Sequence, residues 1–298
     1  MGRLDNKIAV ITGGASGIGK GSVKLFVEEG ARVVFGDIQD DLGKALADEL
    51  GPNAIYLHTN VRKESDIKAL IDLAVKEFGR LDIMFNNAGF GGAAGPIEGI
   101  PTDAFDVTIE VLLRSVFLGI KLAVPVMKQQ KSGSIISSAS VAGLRTGMGP
   151  HLYSACKAAI IQLTHTTAAE LGEFGIRVNS ICPGGISTAI FGRGLGLSQV
   201  QAERFAQFVQ LALKEMQPIQ QAGLPVDIAK AAVWLASEES SFVSGHALVV
   251  DGGLIWKGIL EQNTEQYEDF LSKMGLGSIE DVTRNVNNQI AKSKYELD

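Results

Sequence analysis

The chain has 298 residues, 27 Lys and Arg against 33 Asp and Glu, and a formal net charge of −6 at pH 7. Nucleic acids and anionic membranes attract clustered Lys and Arg, and no basic run occurs here, so the composition argues against both as partners. The length fits one large core with an appendage, and no stretch of about 18 apolar residues predicts a membrane-spanning helix.

The N-terminal stretch MGRLDNKIAVITGG lacks the charged n-region, apolar h-region and small-residue cleavage site of a signal peptide. The two cysteines of the chain, Cys156 and Cys182, each lie inside an apolar stretch. This placement predicts small buried thiols in a reducing compartment rather than a disulfide framework. Both features predict a cytoplasmic protein.

Short β-rich runs alternate with helical patterns along the chain. The runs are KIAVIT (7–12), RVVFGD (32–37), AIYLH (54–58), LDIMFN (81–86), GSIISSAS (133–140), IRVNSIC (176–182) and HALVVDG (246–252). This alternation predicts an α/β fold: a Rossmann-like, doubly wound parallel sheet of seven strands flanked by helices. A barrel would need eight such units, and no linker divides residues 5–255. We therefore expect one domain over residues 1–257 and a C-terminal helical extension over 258–298.

A glycine-rich turn, ITGGASGIGKG (11–21), follows the first run and precedes a helical pattern. The spacing of Gly13, Gly17 and Gly19 allows a tight turn in which backbone N–H groups approach a phosphate at the positive end of a helix. Residues 14–20 also match the start of a P-loop, but that motif needs Ser or Thr next to hold magnesium, and Gly21 stands there. The turn favours a dinucleotide, and a P-loop nucleotide hydrolase is the third hypothesis.

The second run ends in Asp37, 18 residues beyond Gly19. An acidic side chain at this point accepts hydrogen bonds from the adenosine ribose and repels a 2′-phosphate. No Arg or Lys follows directly in GDIQDD, so the sequence favours NAD over NADP. Asp40 and Asp41 are predicted as N-cap residues of the next helix.

The stretch HLYSACKAAI (151–160) places Tyr153 and Lys157 four residues apart. Residues i and i+4 are neighbours on a helix, so the two polar tips can converge on one point. Taken alone, the spacing is more typical of a surface contact than of a functional pair.

The chain resembles the classical short-chain dehydrogenases/reductases over residues 5–255. The motifs that carry the resemblance are TGGASGIG (12–19), NNAG (86–89), SVAG (140–143), YSACK (153–157) and PGGIST (183–188), each at the expected end of a predicted element. The resemblance implies an NAD-dependent alcohol dehydrogenase or ketone reductase acting on a CH–OH group. It also implies a homo-oligomer, a tetramer or a dimer, with a small-molecule alcohol or ketone as substrate and no metal.

The resemblance implies that Tyr153 acts as general acid or base on the substrate oxygen while the nicotinamide carries hydride. A phenol has a pKa of about 10, so the ammonium of Lys157 is expected to lower that pKa and also to hold the nicotinamide ribose. Ser140, 13 residues before Tyr153, would orient the substrate oxygen. Ser137 and Ser138 are the alternatives if the register differs.

The implied cofactor contacts follow the same motifs, from the phosphates at the glycine turn to the nicotinamide at PGGIST. These positions are Gly13, Ser16, Gly17, Ile18, Gly19, Asp37, Ile38, Asn60, Val61, Asn87, Ala88, Gly89, Tyr153, Lys157, Pro183, Gly184, Ile186 and Thr188.

One position departs from the family pattern. The helix after the fourth strand usually carries an Asn that holds a water in a proton relay, whereas VLLRSVFLGIKLA (111–123) places Leu112 there. No Asn occurs between residues 88 and 178, and Ser115, three residues on, is the candidate replacement. The departure keeps open a second hypothesis, a catalytically weakened NAD-binding scaffold or sensor.

The segment 188–224 corresponds to the family's lid. Its glycines (192, 194 and 196) and apolar residues (Phe191, Leu195, Leu197, Phe205, Phe208, Val209 and Leu211) favour a hydrophobic substrate, alicyclic, aromatic, terpenoid or steroid-like. The same residues also fit an amphipathic helix that packs on the core.

The tail from Gly258 to Asp298 extends past the usual end of the family. Ser278 and Asp281 resemble a capping box, and Ile279, Val282, Val286 and Ile290 form an apolar stripe. We expect this stripe to pack on a neighbouring subunit or on its own domain.

Overall fold

The computed structural model describes residues 2–194 and 197–257, together with residues 268, 269, 272, 278, 280 and 281. The chain divides into two units, Met1–Ile255 and Trp256–Asp298. In the second unit the Asp281 N–H donates to Ser278 Oγ over 3.2 Å, and the Ser278 N–H donates to Asp281 Oδ2 over 3.1 Å. This is the reciprocal bonding of a capping box. The apolar stripe predicted from Ile279 to Ile290 lies outside the described residues.

The sheet of the first unit confirms the predicted Rossmann-like doubly wound α/β fold. Within the described residues it has seven parallel strands in the order β3-β2-β1-β4-β5-β6-β7. The strands are β1 Ile8–Thr12, β2 Arg32–Asp37, β3 Ala54–His58, β4 Ile83–Asn86, β5 Gly133–Ser138, β6 Ile176–Pro183 and β7 Ala247–Val250. The order reverses between β1 and β4, so a crevice opens at their carboxyl ends, where such folds bind ligands.

Helices cover both faces of the sheet. The α-helices in the described part of the first unit are α1 Gly17–Glu28, α2 Asp40–Leu50, α3 Glu64–Phe78, α4 Thr102–Ile109, α5 Ser115–Gln130, α6 His151–Leu171, α7 Ile190–Gly194, α8 Gln199–Met216 and α9 Pro225–Ala236. Val10 and Met84 belong to the core under α3, α5 and α6, whereas Ile11 and Phe85 belong to the core under α1 and α9. Because side chains alternate along a strand, the two cores lie on opposite faces of the sheet.

The predicted cap of α2 is wrong. Gln39 occupies the N-cap position, and Asp40 and Asp41 are the first two helical residues. Asp40 is held by tertiary contacts instead, because its Oδ1 lies 2.6 Å from the Tyr56 hydroxyl and 2.7 Å from His58 Nδ1. Its carboxylate still lies at the positive end of the helix, where negative charge is favoured.

No helix among the described residues has both the length and the apolar character needed to cross a bilayer. The same residues contain no group of three or more His, Cys, Asp or Glu side chains that could hold a metal ion. Cys156 and Cys182 are buried free thiols.

Candidate active site

The glycine turn lies between the end of β1 and the start of α1. Gly13 has a φ of +66°, and a β-carbon there would lie 2.7 Å from Ala88 Cα. At Gly19 a β-carbon would overlap the carbonyl oxygen of Gly13. The Ser16 side chain does not cap α1, so the first N–H groups of the helix face the turn without a side-chain acceptor. This arrangement fits the phosphates of a dinucleotide.

Asn87 anchors the glycine turn to the end of β4. Its Nδ2 donates to the carbonyl oxygens of Thr12, at 3.1 Å, and of Gly13, at 3.2 Å. The backbone N–H groups of Asn87 and Ala88 donate to Thr12 Oγ1 over 3.1 and 3.2 Å. The Asn87 side chain is therefore occupied within the protein, and contacts from residues 87–89 to a cofactor fall to the backbone.

Asp37 lies beside the glycine turn with 7% of its surface exposed. Its carboxylate accepts the N–H of Ala15 over 3.0 Å, the N–H of Gln39 over 3.1 Å and Gln39 Nε2 over 3.2 Å. Gln39 Nε2 also donates to Ser16 Oγ over 3.1 Å. The Gln39 side chain therefore links Asp37, the predicted adenosine contact, to Ser16 in the predicted phosphate turn. Sequence reasoning missed it, although it stands two residues after Asp37.

The remaining predicted nucleotide contacts surround this crevice. Ile38 is 64% exposed beyond Asp37, whereas Val61 packs in the core under α3 and Ile18 packs against the core under α1. Asn60 Oδ1 accepts the N–H of Arg62 over 3.1 Å and so forms a tight turn after β3. The predicted positions therefore lie at the carboxyl ends of β1 to β4.

Ser140 and Tyr153 meet at the carboxyl end of β5. Ser140 is 7% exposed, and its Oγ accepts the N–H of Ala142 over 3.1 Å. Tyr153, on the first turn of α6, makes a side-chain hydrogen bond with Ser140. Ser137 and Ser138 are bonded instead to Asn86 and Asn87, at 3.4 and 3.2 Å. Of the three serines considered, Ser140 is the one that contacts Tyr153.

Lys157 reaches the same point from the next turn of α6. Only 4% of its surface is exposed, and its Nζ donates to the Ser138 carbonyl oxygen over 2.6 Å. The Nζ lies 5.3 Å from the centroid of the Tyr153 ring. Burial lowers the pKa of Lys157 to about 8, against small opposing effects of Cys156 and Cys182. The side chain therefore carries a charge at neutral pH and loses it in the mildly alkaline range.

The expected lowering of the Tyr153 pKa by Lys157 is not what this structure shows. Burial raises the pKa of Tyr153, and the hydrogen bond from Ser140 lowers it only in part. The physical reason is that the Lys157 ammonium is directed to the Ser138 carbonyl rather than to the phenol oxygen. Tyr153 is accordingly a neutral phenol at pH 7.

Leu112 lies in a π-turn, Glu110–Arg114, between α4 and α5. It is 1% exposed, and β-carbons at Gly89 and Gly92 would lie 3.3 and 3.6 Å from its δ-carbons. Its side chain thus packs beneath the loop that follows β4. A leucine cannot hydrogen-bond a water, so the side chain at this position supplies no relay group.

Ser115, the candidate replacement, completes the π-turn. Its N–H donates to the Glu110 carbonyl, so the Val111 carbonyl loses the partner that an α-helix would provide. The Ser115 hydroxyl donates to that carbonyl over 2.6 Å. The Ser115 hydroxyl proton is therefore engaged in a hydrogen bond within the helix.

The PGGIST loop follows β6 and returns toward the glycine turn. The Gly184 N–H donates to the Val250 carbonyl over 3.0 Å, and the 5%-exposed Ile186 side chain packs in the core under α1 and α9. A β-carbon at Gly17 would lie 3.4 Å from Thr188 Cγ2, which brings the phosphate turn and this loop together. No pattern in the sequence indicated Gln217, which donates to the Gly185 carbonyl from 32 residues away.

Partly exposed apolar side chains lie on the segments that follow three strands at the carboxyl edge of the sheet. Phe90, Leu144 and Phe191, on the segments after β4, β5 and β6, are 36%, 44% and 38% exposed. In the predicted lid, Ala202 and Leu213 face the protein, whereas Phe208 and Leu211 are 68% and 69% exposed. The predicted Leu195 and Gly196 lie outside the described residues.

Comparison with known proteins matches the arrangement to one family. The sequence model described as enoyl-(acyl carrier protein) reductase covers residues 13–255. Tropinone reductase-like 2 of Erythroxylum coca is 45% identical over 257 residues, which are 84% of this chain and 91% of that protein. Xanthoxin dehydrogenase of Arabidopsis thaliana is 42% identical over 258 residues, 84% of this chain and 90% of that protein. The crystal structure of levodione reductase superposes with a TM-score of 0.77 at 30% identity, over 85% of this chain and 99% of that one.

Proposed function

The chain belongs to the classical short-chain dehydrogenase/reductase family of oxidoreductases, and from this premise we propose that it interconverts a secondary alcohol and a ketone with NAD as cofactor. The family's Rossmann fold binds a nicotinamide dinucleotide. The observation that carries the proposal is the meeting of Ser140, Tyr153 and Lys157 at the end of the crevice that begins with the glycine turn.

The preference for NAD rests on Asp37. Its carboxylate lies beside the turn that fits the phosphates and is held there by Ala15 and Gln39. A ribose hydroxyl can donate to this carboxylate, whereas a 2′-phosphate would meet a like charge. Ile38 and Gln39, which follow, offer no cation to offset that repulsion.

When bound, a nicotinamide cofactor would supply the hydride for ketone reduction or take it up in alcohol oxidation. Ser140 orients the substrate oxygen, and Tyr153, neutral at pH 7, donates a proton to that oxygen during ketone reduction. In alcohol oxidation the base is the Tyr153 phenolate, which forms after the phenol has released its own proton to solvent, so the raised pKa makes this direction faster at higher pH. Lys157 contributes a buried positive charge beside the Tyr153 ring and a donor for the nicotinamide ribose.

The proposed substrate is hydrophobic, either alicyclic, aromatic, terpenoid or steroid-like. Phe90, Leu144 and Phe191 present partly exposed apolar surface on the segments after β4, β5 and β6, which favours apolar ligands over sugars. The relatives compared above are named as reductases and a dehydrogenase, in keeping with an alcohol–ketone pair.

A second candidate function is an NAD-binding scaffold or sensor with weakened catalysis. The observation that favours it is the lack of a polar side chain at the relay position. Leu112 is buried and apolar, and the Ser115 hydroxyl donates its hydrogen bond to the Val111 carbonyl. This alternative predicts tight binding of the cofactor without turnover.

We also propose the larger organisation of the protein. Residues 1–257 are assigned to the catalytic domain, with a lid over 188–224, and residues 258–298 to an extension. The proposed oligomer, a homotetramer or a dimer, rests on the family resemblance, and the exposed Phe105 and Phe117 on α4 and α5 are candidate contacts for it. Two buried free thiols support a cytoplasmic location.

The test is absorbance in the NADH band when the protein meets NAD or NADP with a panel of cyclic, aromatic and aliphatic secondary alcohols. We expect NADH formation with NAD, and its loss in Tyr153→Phe, which keeps the ring but removes the proton-transfer group. A protein that binds NADH but reduces no cofactor across the panel would favour the scaffold.

A further inference from the structure

Gln217 lies directly after α8 and is buried, with 2% of its surface exposed. Its Nε2 lies 3.3 Å from the carbonyl oxygens of both Gly185 and Leu213 and 3.1 Å from that of Gln221. Because three acceptors converge on one atom, that atom must be the amide nitrogen rather than the amide oxygen.

These three carbonyls belong to different segments. Gly185 lies in the PGGIST loop, Leu213 in the last turn of α8, and Gln221 in the stretch that leads to α9. Leu213 and Gln221 lie four residues before and after Gln217, whereas Gly185 is 32 residues away, so the amide of Gln217 forms a polar junction between the loop and the end of the lid helix. A buried carbonyl left without a donor is costly, which makes the junction sensitive to loss of the amide.

Packing reinforces the junction. A β-carbon at Gly185 would overlap Leu213 Cδ2, so the loop backbone lies directly against the buried face of α8. The Ser187 hydroxyl donates to the Ala206 carbonyl over 2.8 Å, and the Ser187 N–H donates to the Gly223 carbonyl over 2.8 Å. The loop is thus fixed on one side by α8 and on the other by the segment after it.

The other side of the Gln217 side chain faces the turn after β7. A β-carbon at Gly252 would lie 3.2 Å from Gln217 Oε1, and the Ile219 N–H donates to the Gly252 carbonyl over 2.9 Å. Gln217 therefore fills the space between this turn and the PGGIST loop. A side chain of the same length without the amide would fill that space but remove this donor from the Gly185 and Gln221 carbonyls, whereas the Leu213 carbonyl would keep the Gln217 backbone N–H.

We propose that Gln217 is a positioning residue for the nicotinamide end of the cofactor: its amide holds the PGGIST loop in place to receive the nicotinamide. The inference rests on the proposed binding of NAD. The adenosine end is held separately, because Asp37 takes its hydrogen bonds from Ala15 and Gln39. Loss of the Gln217 amide is therefore expected to affect one half of the dinucleotide site.

The experiment compares NADH with ADP-ribose, which contains the adenosine and both phosphates but no nicotinamide. Dissociation constants for both are measured on the full chain by calorimetry, in wild type, Gln217→Met and a control, Gln210→Met. Gln210 is an exposed residue of α8, so its substitution makes the same chemical change outside the junction. We expect Gln217→Met to weaken NADH about tenfold and to change ADP-ribose binding by less than about twofold, with neither constant altered in the control.

A second variant, Gln217→Glu, tests the donor itself. At pH 8 a carboxylate would face the three carbonyls and weaken NADH binding, whereas a protonated carboxyl at pH 5.5 can donate, so binding should recover relative to wild type at the same pH. Equal weakening of NADH and ADP-ribose in Gln217→Met, unchanged NADH binding, or no recovery in Gln217→Glu would each overturn the inference. Wild type that binds neither ligand would overturn the proposed function and this inference with it.

Discussion

Lys157 carries a charge where burial disfavours it. Its pKa falls to about 8 in the folded protein, whereas an unfolded chain holds a lysine near its ordinary value of about 10.4. Between these values the unfolded state binds more protons than the folded state, so the free energy of unfolding rises as the pH rises from about 8 to about 10.4. Below pH 8 Lys157 is charged in both states, so the full free-energy cost of burying its charge remains. A residue kept at this cost fits a functional role better than a structural one.

Substitution of Lys157 by Met should therefore separate stability from function. We expect the free energy of unfolding at pH 7 to rise by about 1–2 kcal/mol, since removal of the buried charge outweighs loss of the bond to the Ser138 carbonyl and of the contact with the Tyr153 ring. Turnover should fall by about a hundredfold or more. Denaturant titrations at pH 7 and pH 9.5 and NADH absorbance provide the measurements, with Lys230→Met as the exposed control. A variant that is less stable at pH 7 and still active would contradict the assignment.

Asp37 is expected to set the cofactor preference through its charge. Asp37→Asn keeps one acceptor oxygen, which can serve the Ala15 or the Gln39 N–H but not both because these bond different carboxylate oxygens, and it removes the repulsion of a 2′-phosphate. The ratio of kcat/KM for NADP to that for NAD should rise about tenfold or more. Asp41→Asn, an exposed carboxylate of α2, is the matched control. An unchanged ratio in Asp37→Asn would show that other groups choose between the two cofactors.

At the level of elements, the π-turn between α4 and α5 accounts for the residues at the relay position. The turn rotates Leu112 under the loop after β4 and leaves the Val111 carbonyl for the Ser115 hydroxyl. The sequence pointed to both positions because Leu112 departs from the family pattern. The sequence could not predict the π-turn. The helix geometry determines which carbonyl is left without a backbone partner.

Ser115→Ala tests whether the hydroxyl serves the helix or a proton relay. Loss of the bond to the Val111 carbonyl should lower the free energy of unfolding by about 1–2 kcal/mol, while the pH dependence of turnover stays that of wild type. Ser65→Ala, at an exposed position of α3, controls for the loss of a hydroxyl. A shifted pH profile with unchanged stability would instead place Ser115 in the relay.

Across the whole molecule, the features that could be predicted from the sequence depend on residues that are close together in the chain. The seven runs predicted the strands, and the GxxxGxG and YxxxK spacings predicted the phosphate turn and the Tyr153–Lys157 face, because each depends on local geometry. The direction of the Tyr153 pKa shift was mispredicted because burial cannot be read from spacing. Gln39 and Gln217 were missed because their roles arise from contacts between separate elements.

The C-terminal extension is predicted to serve the assembly. Deletion of residues 259–298 should reduce the oligomer size in light scattering or raise the KM for the alcohol. NADH affinity should stay unchanged, because the residues assigned to the cofactor all precede the deletion. Unchanged particle mass together with an unchanged KM would contradict the expected role of the extension.

The central claim is direct hydride transfer between a secondary alcohol and NAD, with the proton handled by Tyr153. The most direct measurement supplies NAD and a panel of secondary alcohols deuterated at the carbinol carbon, and determines by mass spectrometry whether the reduced cofactor carries the label. We expect one deuterium in each NADH formed by wild type and no labelled product from Tyr153→Phe. Unlabelled NADH, equal labelling in both proteins, or bound cofactor that is never reduced would contradict the account.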